Sequence, residues 1–353
     1  MQVDLINDSQ LKCLYGLGIS GLLNIGNTCF MNTALRCLMS VKVFVSYFLS
    51  NQYTEDINND KVEHEFIENF ANLTKKIWEE NAIIRPINFK NGISKFYLPY
   101  ASAHQHDAAE AFIKIIELLH EGLSYKAEIR PIETGAPLSD QDKINLLAID
   151  AWKRAFENNY SIPLKLFHGQ NICKVKCNSC KNVSIRFDTF CTINLPITDS
   201  TNTLYDCINQ YVLSQDMDDK LTCEHCKTKC NVSIRNSIWK MPPVLTFCFN
   251  RFGSSQSVTH KLIDFPVTKA NFSNLAEKNS DKRVIYDLVS IANYRGNMDF
   301  GHYWAFSKCS DGSWKEFDDE KITDITDLSN LATEHSYFLV YVKRGITNEI
   351  VIS

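Results

Sequence analysis

Several features that define particular protein classes are absent from this 353-residue sequence. Its longest apolar run, near positions 41–49, contains Lys42 and is about half of the ~20 residues that a membrane span needs. The first ten residues have neither the basic opening nor the apolar core of a signal peptide. The formal net charge of −4 gives no general attraction to nucleic acid or anionic lipid. We therefore expect a cytoplasmic and/or nuclear protein without a membrane or nucleic-acid partner.

Internal repeats and low-complexity linkers are also lacking, which bears on the domain organisation. The length exceeds the roughly 150 residues of a typical domain, so length alone allows two domains. Helical patterns fill the first half and strand patterns the second, with no flexible linker between them. This arrangement favours one integrated α+β unit.

Cysteine, by contrast, is plentiful, with thirteen residues. In a reducing compartment a disulfide framework is not expected. The thiols should instead serve as metal ligands, as a reactive group and as core packing.

Apolar residues recur at helical spacing in four segments of the first half, which predicts four helices. The segments are 29–39, a stretch starting at Val62 and continuing through Phe66, Phe70, Leu73 and Ile77, a stretch beginning near Asp107, and 141–158. After Pro163, β-branched and aromatic residues with partial alternation predict strands instead. These strands fall within 171–197, 232–252, 284–294, 302–308 and 336–343.

Two C-x2-C pairs, Cys177/Cys180 and Cys223/Cys226, are separated by 42 residues, positions 181 to 222. Four thiolates in two such pairs suit a closed, structural zinc site. Because the separation exceeds the ~15–20 residues of a compact zinc ribbon, we expect a knuckle at each of two hairpin turns joined by long strands. One pair could instead be ordinary core cysteine. The substitute ligands are then Cys173, Cys230 and His225.

Cys29 directly follows Gly-Asn-Thr at the predicted start of the first helix, with Asn27 or Thr28 as the N-cap. Unpaired N–H groups and the positive end of the helix dipole stabilise a thiolate at such a position. A cysteine beside an apolar helix is also a common core residue, and we expect Cys37 to be one. A nucleophile needs a histidine base from elsewhere in the chain.

The best candidate base is His302, at the start of a predicted strand. A second aromatic strand within 314-WKEFDDE-320 can pair with it across the turn 309–313. Asp318 would then lie close enough to hold the imidazole tautomer. A lone histidine at a strand edge is often only a polar edge residue. We assign the neighbouring Asp319 and Glu320 to a solvated acidic turn.

Long stretches of the sequence resemble the ubiquitin-specific proteases, papain-like thiol enzymes that cut after the C-terminal Gly-Gly of ubiquitin. The resemblance runs from about Gly16 to about Val342. A cysteine box is matched by 21-GLLNIGNTCFMN-32, and a histidine box by 294-YRG-296 followed by 301-GHY-303. Further matching pieces are 105-QHDAAE-110, the two C-x2-C pairs, 245-LTFCFNRF-252, 264-DFP-266 and 314-WKEFDD-319.

The resemblance implies a role for each matched residue. Cys29 would be the nucleophile, His302 the general base and then acid, and Asp318 the residue that orients it. Asn24 matches the side chain that donates to the oxyanion. Asp107 matches a position that contacts the arginine-containing tail of the substrate. The other implied substrate-binding residues are Gln105 and Gly301, and the implied ligands of one structural zinc are Cys177, Cys180, Cys223 and Cys226. No cofactor is implied for catalysis.

The implied fold is α+β, that of a papain-like cysteine protease shaped as a hand. A helical thumb would cover about 16–163, zinc-tied fingers of antiparallel strands about 164–236, and an antiparallel palm about 237–345. Residues 1–15 would be an N-terminal extension and 346–353 a C-terminal tail. His106 and Asn250 stand where many members have glutamine and lysine, away from the implied chemistry. With no extra zinc finger or domain, the chain is close to a bare catalytic core.

The expected partners are ubiquitin and ubiquitinated proteins. Three functions stay open on the sequence. The first is an active deubiquitinase that forms a thioester acyl-enzyme. The second is a ubiquitin-binding scaffold that is catalytically silent or activated by a protein partner. The third is a protease for another ubiquitin-like modifier. The presence of Cys29, His302 and Asp318 together favours the first.

Overall fold

The computed structural model describes residues 15–127, 138–157, 159–216, 220–252, 258–277, 284–297 and 300–346. Within these ranges the first half of the chain is mainly helical, as predicted. The helices are α1 (Cys29–Met39), α2 (Lys42–Leu49), α3 (Tyr53–Asp56), α4 (His64–Glu79), α5 (Ile87–Ser94), α6 (Ala108–Leu123), α7 (Asp140–Phe156), α8 (Ile162–Phe167) and α9 (Leu204–Val212). No single helix of the described ranges is long and apolar enough to cross a bilayer; α1 and α2 reach that length only as a pair bent by 89°.

Helix α4 illustrates how apolar spacing orients a helix in the thumb. Its residues Phe66, Phe70 and Ile77 are buried, and the Phe70 ring packs edge-on against Phe48 at 4.9 Å between centroids. Val62, which we assigned to the same apolar face, lies before the helix and is 79% exposed. The prediction is wrong at this residue because turns occupy residues 59–63 and the helix begins only after them.

The second half of the chain and several thumb loops supply the strands. They are β1 (Gly21–Leu22), β2 (Ile83–Ile84), β3 (Tyr125–Lys126), β4 (Asn159–Tyr160), β5 (Gly169–Cys177), β6 (Val183–Phe190), β7 (Ile193–Leu195), β8 (Gln215–Asp216), β9 (Leu221–Thr222), β10 (Lys229–Cys230), β11 (Val232–Lys240), β12 (Val244–Phe249), β13 (Ala270–Asn271), β14 (Ile285–Gly296), β15 (Gly301–Lys308), β16 (Trp314–Asp318), β17 (Lys321–Ile325) and β18 (Ser336–Lys343).

An eight-stranded sheet forms the palm. Its order is β17-β16-β15-β14-β18-β12-β7, with β13 beside β14. All neighbours are antiparallel except β12 and β7, which run parallel with Phe247 opposite Ile193. The palm that we predicted as antiparallel therefore carries one parallel edge strand.

The fingers contain a four-stranded sheet in the order β6-β5-β11-β8 and the short hairpin β9–β10. Both C-x2-C pairs lie at hairpin turns, one after β5 and one between β9 and β10, as predicted. The predicted connection by long strands alone is wrong. Between the two turns the chain adds β7 to the palm and forms α9, because Leu204, Cys207 and Ile208 bury an apolar helix face in the palm core.

Helix α7 lies outside the main core, over the finger sheet. Only Ala148 is buried on this helix, where it packs with Ile172 of β5 and Phe187 of β6. The helix we predicted over 141–158 therefore exists, but it covers the fingers with a narrow apolar contact.

The largest core lies between the thumb helices and the palm sheet. All residues of α1 are buried, and this helix packs against α6 on one side and against β14 and β15 on the other. Cys37 is 0% exposed, which confirms the expected core role. Because Cys29 opens α1, the boundary between thumb and palm runs through the predicted active site.

Candidate active site

Cys29 is the first residue of α1, as predicted, and is 2% exposed. Thr28 occupies the N-cap position, but its hydroxyl accepts from the N–H of Ile25 (2.9 Å) instead of from the first helical turn. The N–H groups of that turn therefore have no side-chain cap. Uncapped N–H groups at the positive end of a helix dipole favour negative charge, which suits a thiolate.

His302 connects Cys29 to Asp318. Strands β15 and β16 pair antiparallel, with Ala305 opposite Phe317, so the start of one strand lies beside the end of the other. Nε2 of His302 is 2.5 Å from Oδ1 of Asp318, and the same imidazole hydrogen-bonds Cys29. The Cys29 hydrogen bond, reinforced by Asp318, raises the pKa of His302 to about 9. The imidazole is therefore cationic at neutral pH, the partner that a thiolate nucleophile needs.

Asn24 is held in place by Asp319. Its Nδ2 donates to Oδ2 of Asp319 (2.9 Å), while its Oδ1 accepts from the N–H groups of Gly26 (3.2 Å) and Thr28 (3.1 Å). The second carboxylate oxygen of Asp319 accepts from Nδ2 of Asn32 (2.8 Å). One Nδ2 proton of Asn24 is engaged by Asp319, and the amide carries a second. Its role as an oxyanion donor stays a prediction.

Asp319 and Asn32 are site residues that sequence reasoning missed. The assignment of Asp319 to a solvated turn is wrong: two amides hold its carboxylate, and burial raises its pKa. Glu320 is exposed, as predicted. A polar Asn32 in a mainly apolar helix was the available signal. Its partner lies 287 positions away, however, and only the folded chain brings the two together.

Gln105 and Gly301 form a reciprocal pair beside His302. Nε2 of Gln105 donates to the Gly301 carbonyl (2.6 Å), and the Gly301 N–H donates to Oε1 of Gln105 (2.8 Å). A side chain at position 301 would overlap the Tyr294 hydroxyl, so only glycine fits. The structure thus brings both predicted residues to the histidine strand, where Gln105 anchors the strand edge. Their contact with substrate stays a prediction.

Asp107 caps α6 and reaches the palm. Its Oδ1 accepts from the Glu110 N–H (2.9 Å). Its Oδ2 accepts from the hydroxyls of Tyr337 (2.6 Å) and Tyr303 (3.3 Å). The carboxylate therefore joins thumb and palm next to the residue that follows His302. Its predicted contact with an arginine of the substrate stays a prediction.

The four predicted metal ligands converge in the fingers. Donor atoms of Cys177, Cys180, Cys223 and Cys226 all lie within 4.8 Å of one another. The sulfurs of Cys177 and Cys226 are 4.0 Å apart, and those of Cys180 and Cys223 are 3.8 Å apart. Four sulfurs bound tetrahedrally at the usual zinc distance of about 2.3 Å are separated by about 3.8 Å. The sulfur positions therefore fit zinc.

The two knuckles share one backbone conformation. In each turn the N–H of the residue four positions on donates to the first cysteine's carbonyl, Lys181 to Cys177 (2.9 Å) and Lys227 to Cys223 (2.8 Å). Both lysines are left-handed, with φ of 64° and 58°. Two distant segments with the same unusual turn indicate a site built from two equivalent halves.

The three substitute ligands differ in their distance from the group of four cysteines. Cys230 is buried with its sulfur 3.2 Å from that of Cys177, whereas His225 is exposed and, like Cys173, lies outside the group of four. Cys230 is therefore the one substitute placed beside the cluster.

Comparisons with known proteins agree with these observations. Residues 20–341 match the family model described as ubiquitin carboxyl-terminal hydrolase. The chain is 27% identical over 357 residues to ubiquitin carboxyl-terminal hydrolase 21 of Homo sapiens, covering 93% of this chain and 62% of the relative. It is 30% identical over 339 residues to ubiquitin carboxyl-terminal hydrolase 2 of Homo sapiens, covering 92% and 55%. The chain thus spans less than two thirds of the length of these relatives.

Among solved structures, the fold resembles the SAGA Ubp8/Sgf11/Sus1/Sgf73 DUB module bound to ubiquitin aldehyde. The TM-score is 0.72 at 23% identity, covering 94% of this chain and 70% of the other. The yeast SAGA DUB module gives a similar match, with a TM-score of 0.73 at 23% identity, covering 94% and 69%. At this identity the likeness concerns the fold alone, and it confirms the α+β, papain-like architecture that the sequence implies.

Proposed function

The chain belongs to the ubiquitin carboxyl-terminal hydrolase family, and from this premise we propose that it is a cysteine-type deubiquitinase. It would hydrolyse the peptide or isopeptide bond after the C-terminal Gly-Gly of ubiquitin. The observation that carries the proposal is the hydrogen-bonded line from Cys29 through His302 to Asp318. A thiol at a helix start, a cationic imidazole and an orienting carboxylate are the parts that a thiol acyl transfer needs.

The proposed reaction proceeds through a thioester. The sulfur of Cys29 attacks the terminal glycine carbonyl, and the C–N bond breaks as His302 gives its proton to the departing lysine amine. His302 then takes a proton from water, which attacks the thioester carbonyl. The C–S bond breaks, and the ubiquitin carboxylate and the Cys29 thiol are released. Asp318 holds the imidazole through both steps.

Asn24 is the proposed oxyanion donor, together with the backbone N–H of Cys29. Its placement is supported by the Asp319 carboxylate, which engages one amide proton and leaves the other for the developing negative charge. Removing one such donor typically costs about 10²–10³ in rate. The site therefore depends on Asp319 as well as on the three residues of the line.

The proposed substrate-binding residues are Asp107, Gln105 and Gly301. Asp107 is a carboxylate suited to an arginine guanidinium of the ubiquitin tail. Gln105 and Gly301 keep the strand edge before His302 in a fixed position, along which an extended tail can lie. Glycine at 301 also lets a peptide approach the backbone closely.

We infer that Cys177, Cys180, Cys223 and Cys226 bind one structural zinc ion per chain. The spacing of their sulfurs and the matched turns support this inference. Bound zinc would join the β5–β6 turn to the β9–β10 hairpin. Four protein ligands leave no open position, so the ion supplies structure and no catalytic group.

Ubiquitin and ubiquitinated proteins are the proposed partners, and cytoplasm and/or nucleus the proposed location. Reduced thiols at Cys29 and in the fingers suit such a reducing compartment. The Ubp8 module contains Sgf11, Sus1 and Sgf73. By analogy, we keep an activating protein partner as an open alternative for this chain.

The test is covalent capture of ubiquitin. Purified, zinc-loaded protein is incubated with ubiquitin that carries a C-terminal thiol-reactive warhead, and the intact mass is measured. We expect one ubiquitin adduct on the wild type and none on Cys29→Ala. Cys37→Ala is the matched control, because it removes a buried cysteine from the same helix and should keep the adduct.

Failure of capture separates the alternatives. An adduct only with the warhead form of another ubiquitin-like modifier would replace ubiquitin as the substrate. No adduct with either, in protein shown to be folded, would favour the scaffold. An adduct on Cys29→Ala would mean that the reactive cysteine lies elsewhere.

A further inference from the structure

Arg36 is a buried cation with unused donors, on α1 but away from the active site. Its side chain is 3% exposed, and its guanidinium carbon lies 4.3 Å from the ring centre of Phe317. Nη1 donates to the Gly18 carbonyl (3.0 Å), whereas Nε and Nη2 are buried without a hydrogen-bond partner. Within the described ranges no carboxylate forms an ion pair with it. A buried cation left in this state is costly.

Trp78, which lines the same cleft as Arg36, carries a third unused donor. Its indole Nε1 is also buried without a partner, and the side chain is 3% exposed. Arg36 and Trp78 both line one cleft, between α1, the end of α4 and the β15–β16 turn. All three orphan atoms are N–H donors.

The rest of the cleft wall has the same character. Lys42 and Lys308 contribute two further cations, and Ser40, Ser307 and Ser310 contribute hydroxyls. No carboxylate from the described part of the chain lines it. The cavity volume is about 10 Å³, which is on the scale of one water molecule or one anionic oxygen.

We propose that this cleft binds a small oxyanion of the carboxylate or phosphate class. Nε and Nη2 lie on one edge of a guanidinium and form a fork that matches two oxygens of such an anion. One oxygen enters the cavity, where the Trp78 N–H completes its contacts, and the rest of the anion lies at the mouth near the lysines. A single water could accept one of these hydrogen bonds but would leave the charge of Arg36 unbalanced.

The site occupies a structural junction. Helix α1 begins at Cys29, and the β15–β16 hairpin carries His302 and Asp318 at its open end. The cleft lies beside the last turn of α1 and extends from the β15–β16 turn to Phe317, the residue before Asp318. A bound anion would stabilise the packing of the two elements that bring the nucleophile to its base. The proposal does not depend on the proposed deubiquitinase activity, because it concerns ligand binding and stability.

The test uses the full chain in its zinc-loaded form, in a low-anion sulfonate buffer. Sodium phosphate, sodium acetate and sodium chloride are added at matched ionic strength, with tryptophan fluorescence and Tm as readouts. We expect a saturable fluorescence change and a Tm rise of about 2 °C at tenfold excess over Kd for phosphate, acetate or both. Phosphate alone would indicate a phosphate source, and acetate alone a protein or metabolite carboxylate. An equal response to chloride, or no saturable response, would overturn the proposal.

Variants locate the site. Trp78→Phe keeps the ring but loses the donor, and should weaken binding about 10-fold or more. Arg36→Lys keeps the charge but loses the fork, and should abolish the preference for oxyanions over chloride. If either variant fails to fold, Lys308→Gln, at the mouth, should weaken binding about 2- to 5-fold. Arg154→Met on α7 is the control and should bind as the wild type does. Unchanged binding in Lys308→Gln and in the folded Arg36 and Trp78 variants would disprove this location.

Discussion

At the residue scale, two adjacent carboxylates support the active site in different ways. Asp318 contacts the imidazole of His302, whereas Asp319 is directed at the amides of Asn24 and Asn32, with a carboxylate oxygen still within 4.8 Å of the imidazole. The change of direction arises because Asp318 ends β16 while Asp319 adopts a left-handed φ of 52°. Aspartate tolerates this conformation better than most residues do. One carboxylate therefore acts on the proposed base, and its neighbour acts on the proposed oxyanion donor.

This difference predicts distinct pH profiles for two variants. The Cys29 hydrogen bond and Asp318 raise the pKa of His302 to about 9, so its proton should be lost, and activity with it, as pH rises through about 9. In Asp318→Ala the alkaline limb should move to lower pH, together with a large loss of kcat. In Asp319→Ala the limb should move less than in Asp318→Ala, because Asp319 lies near the imidazole without hydrogen-bonding it, while kcat falls by about 10²–10³, as for a lost oxyanion donor.

The measurement is kcat/KM on a ubiquitin isopeptide substrate between pH 6 and pH 10. Glu320→Ala is the matched control, because this neighbouring carboxylate is exposed. If Asp319→Ala shifted the alkaline limb as much as Asp318→Ala does, the division of tasks would be wrong.

How far the sequence predicts single residues depends on the range of their contacts. Cys29 could be placed at a helix start from local spacing, and Asp318 near His302 from one hairpin. Asp319 contacts Asn24 across 295 positions, and no local pattern encodes such a pair. Its neighbours in sequence, Asp318 and Glu320, are both acidic, which made a solvated turn the natural expectation.

At the element scale, the proposed zinc ion would join two turns of the fingers, one of which has few other contacts to hold it. Strands β9 and β10 have two residues each and pair only with each other. Two-stranded hairpins of this size are marginal in water. The proposed metal bridge to the longer β5–β6 hairpin would therefore supply most of the order of this segment.

Cysteine variants should separate the ligands from their neighbours. We expect one zinc per wild-type chain by elemental analysis. Cys180→Ser should lose most of it, with faster amide hydrogen exchange in β9 and β10 but not in α1. Cys173→Ser is the control, since Cys173 lies on β5 outside the group of four, and should keep its zinc.

Cys230 provides the critical comparison. If Cys180→Ser kept one tightly bound zinc while a double variant with Cys230→Ser lost it, Cys230 would be a working substitute ligand. If the wild type were folded and free of zinc, the structural zinc site itself would be refuted.

Elements with strong local periodicity could be predicted from the sequence. Elements whose positions depend on packing against the palm sheet could not. Helices α1, α4 and α6 follow from apolar residues at three- and four-residue spacing. Strand β7 and helix α9 lie inside the stretch that we assigned to long finger strands. Their positions depend on burial against Phe247 and its neighbours in the palm, which only the assembled sheet provides.

At the scale of the whole molecule, a buried histidine, His120, and a half-buried one, His168, lie where the thumb meets the fingers. His120 at the end of α6 hydrogen-bonds Ser161 (2.8 Å), and His168 immediately precedes β5. The Phe156 ring contacts both imidazoles, at 5.7 and 5.3 Å between centroids. Burial lowers the pKa of His120 to about 4 and that of His168 to about 3. Both rings are therefore neutral in the folded protein over the physiological range.

This arrangement predicts acid sensitivity of the thumb–finger junction. An unfolded histidine has a pKa of about 6.5, so below that pH the unfolded chain binds protons that the folded chain does not. The free energy of unfolding should be highest above pH 6.5 and should decrease as the pH drops toward 4. The decrease is at most about 1.4 kcal/mol per pH unit for each histidine. Urea unfolding at several pH values between 7.5 and 4.5 measures this slope.

Zinc ligands and carboxylates also titrate there, so the wild type is compared with His168→Phe, which keeps a ring against Phe156 but cannot be protonated. The variant should lose less stability over this range, and parallel curves for the two proteins would show that His168 does not couple folding to pH.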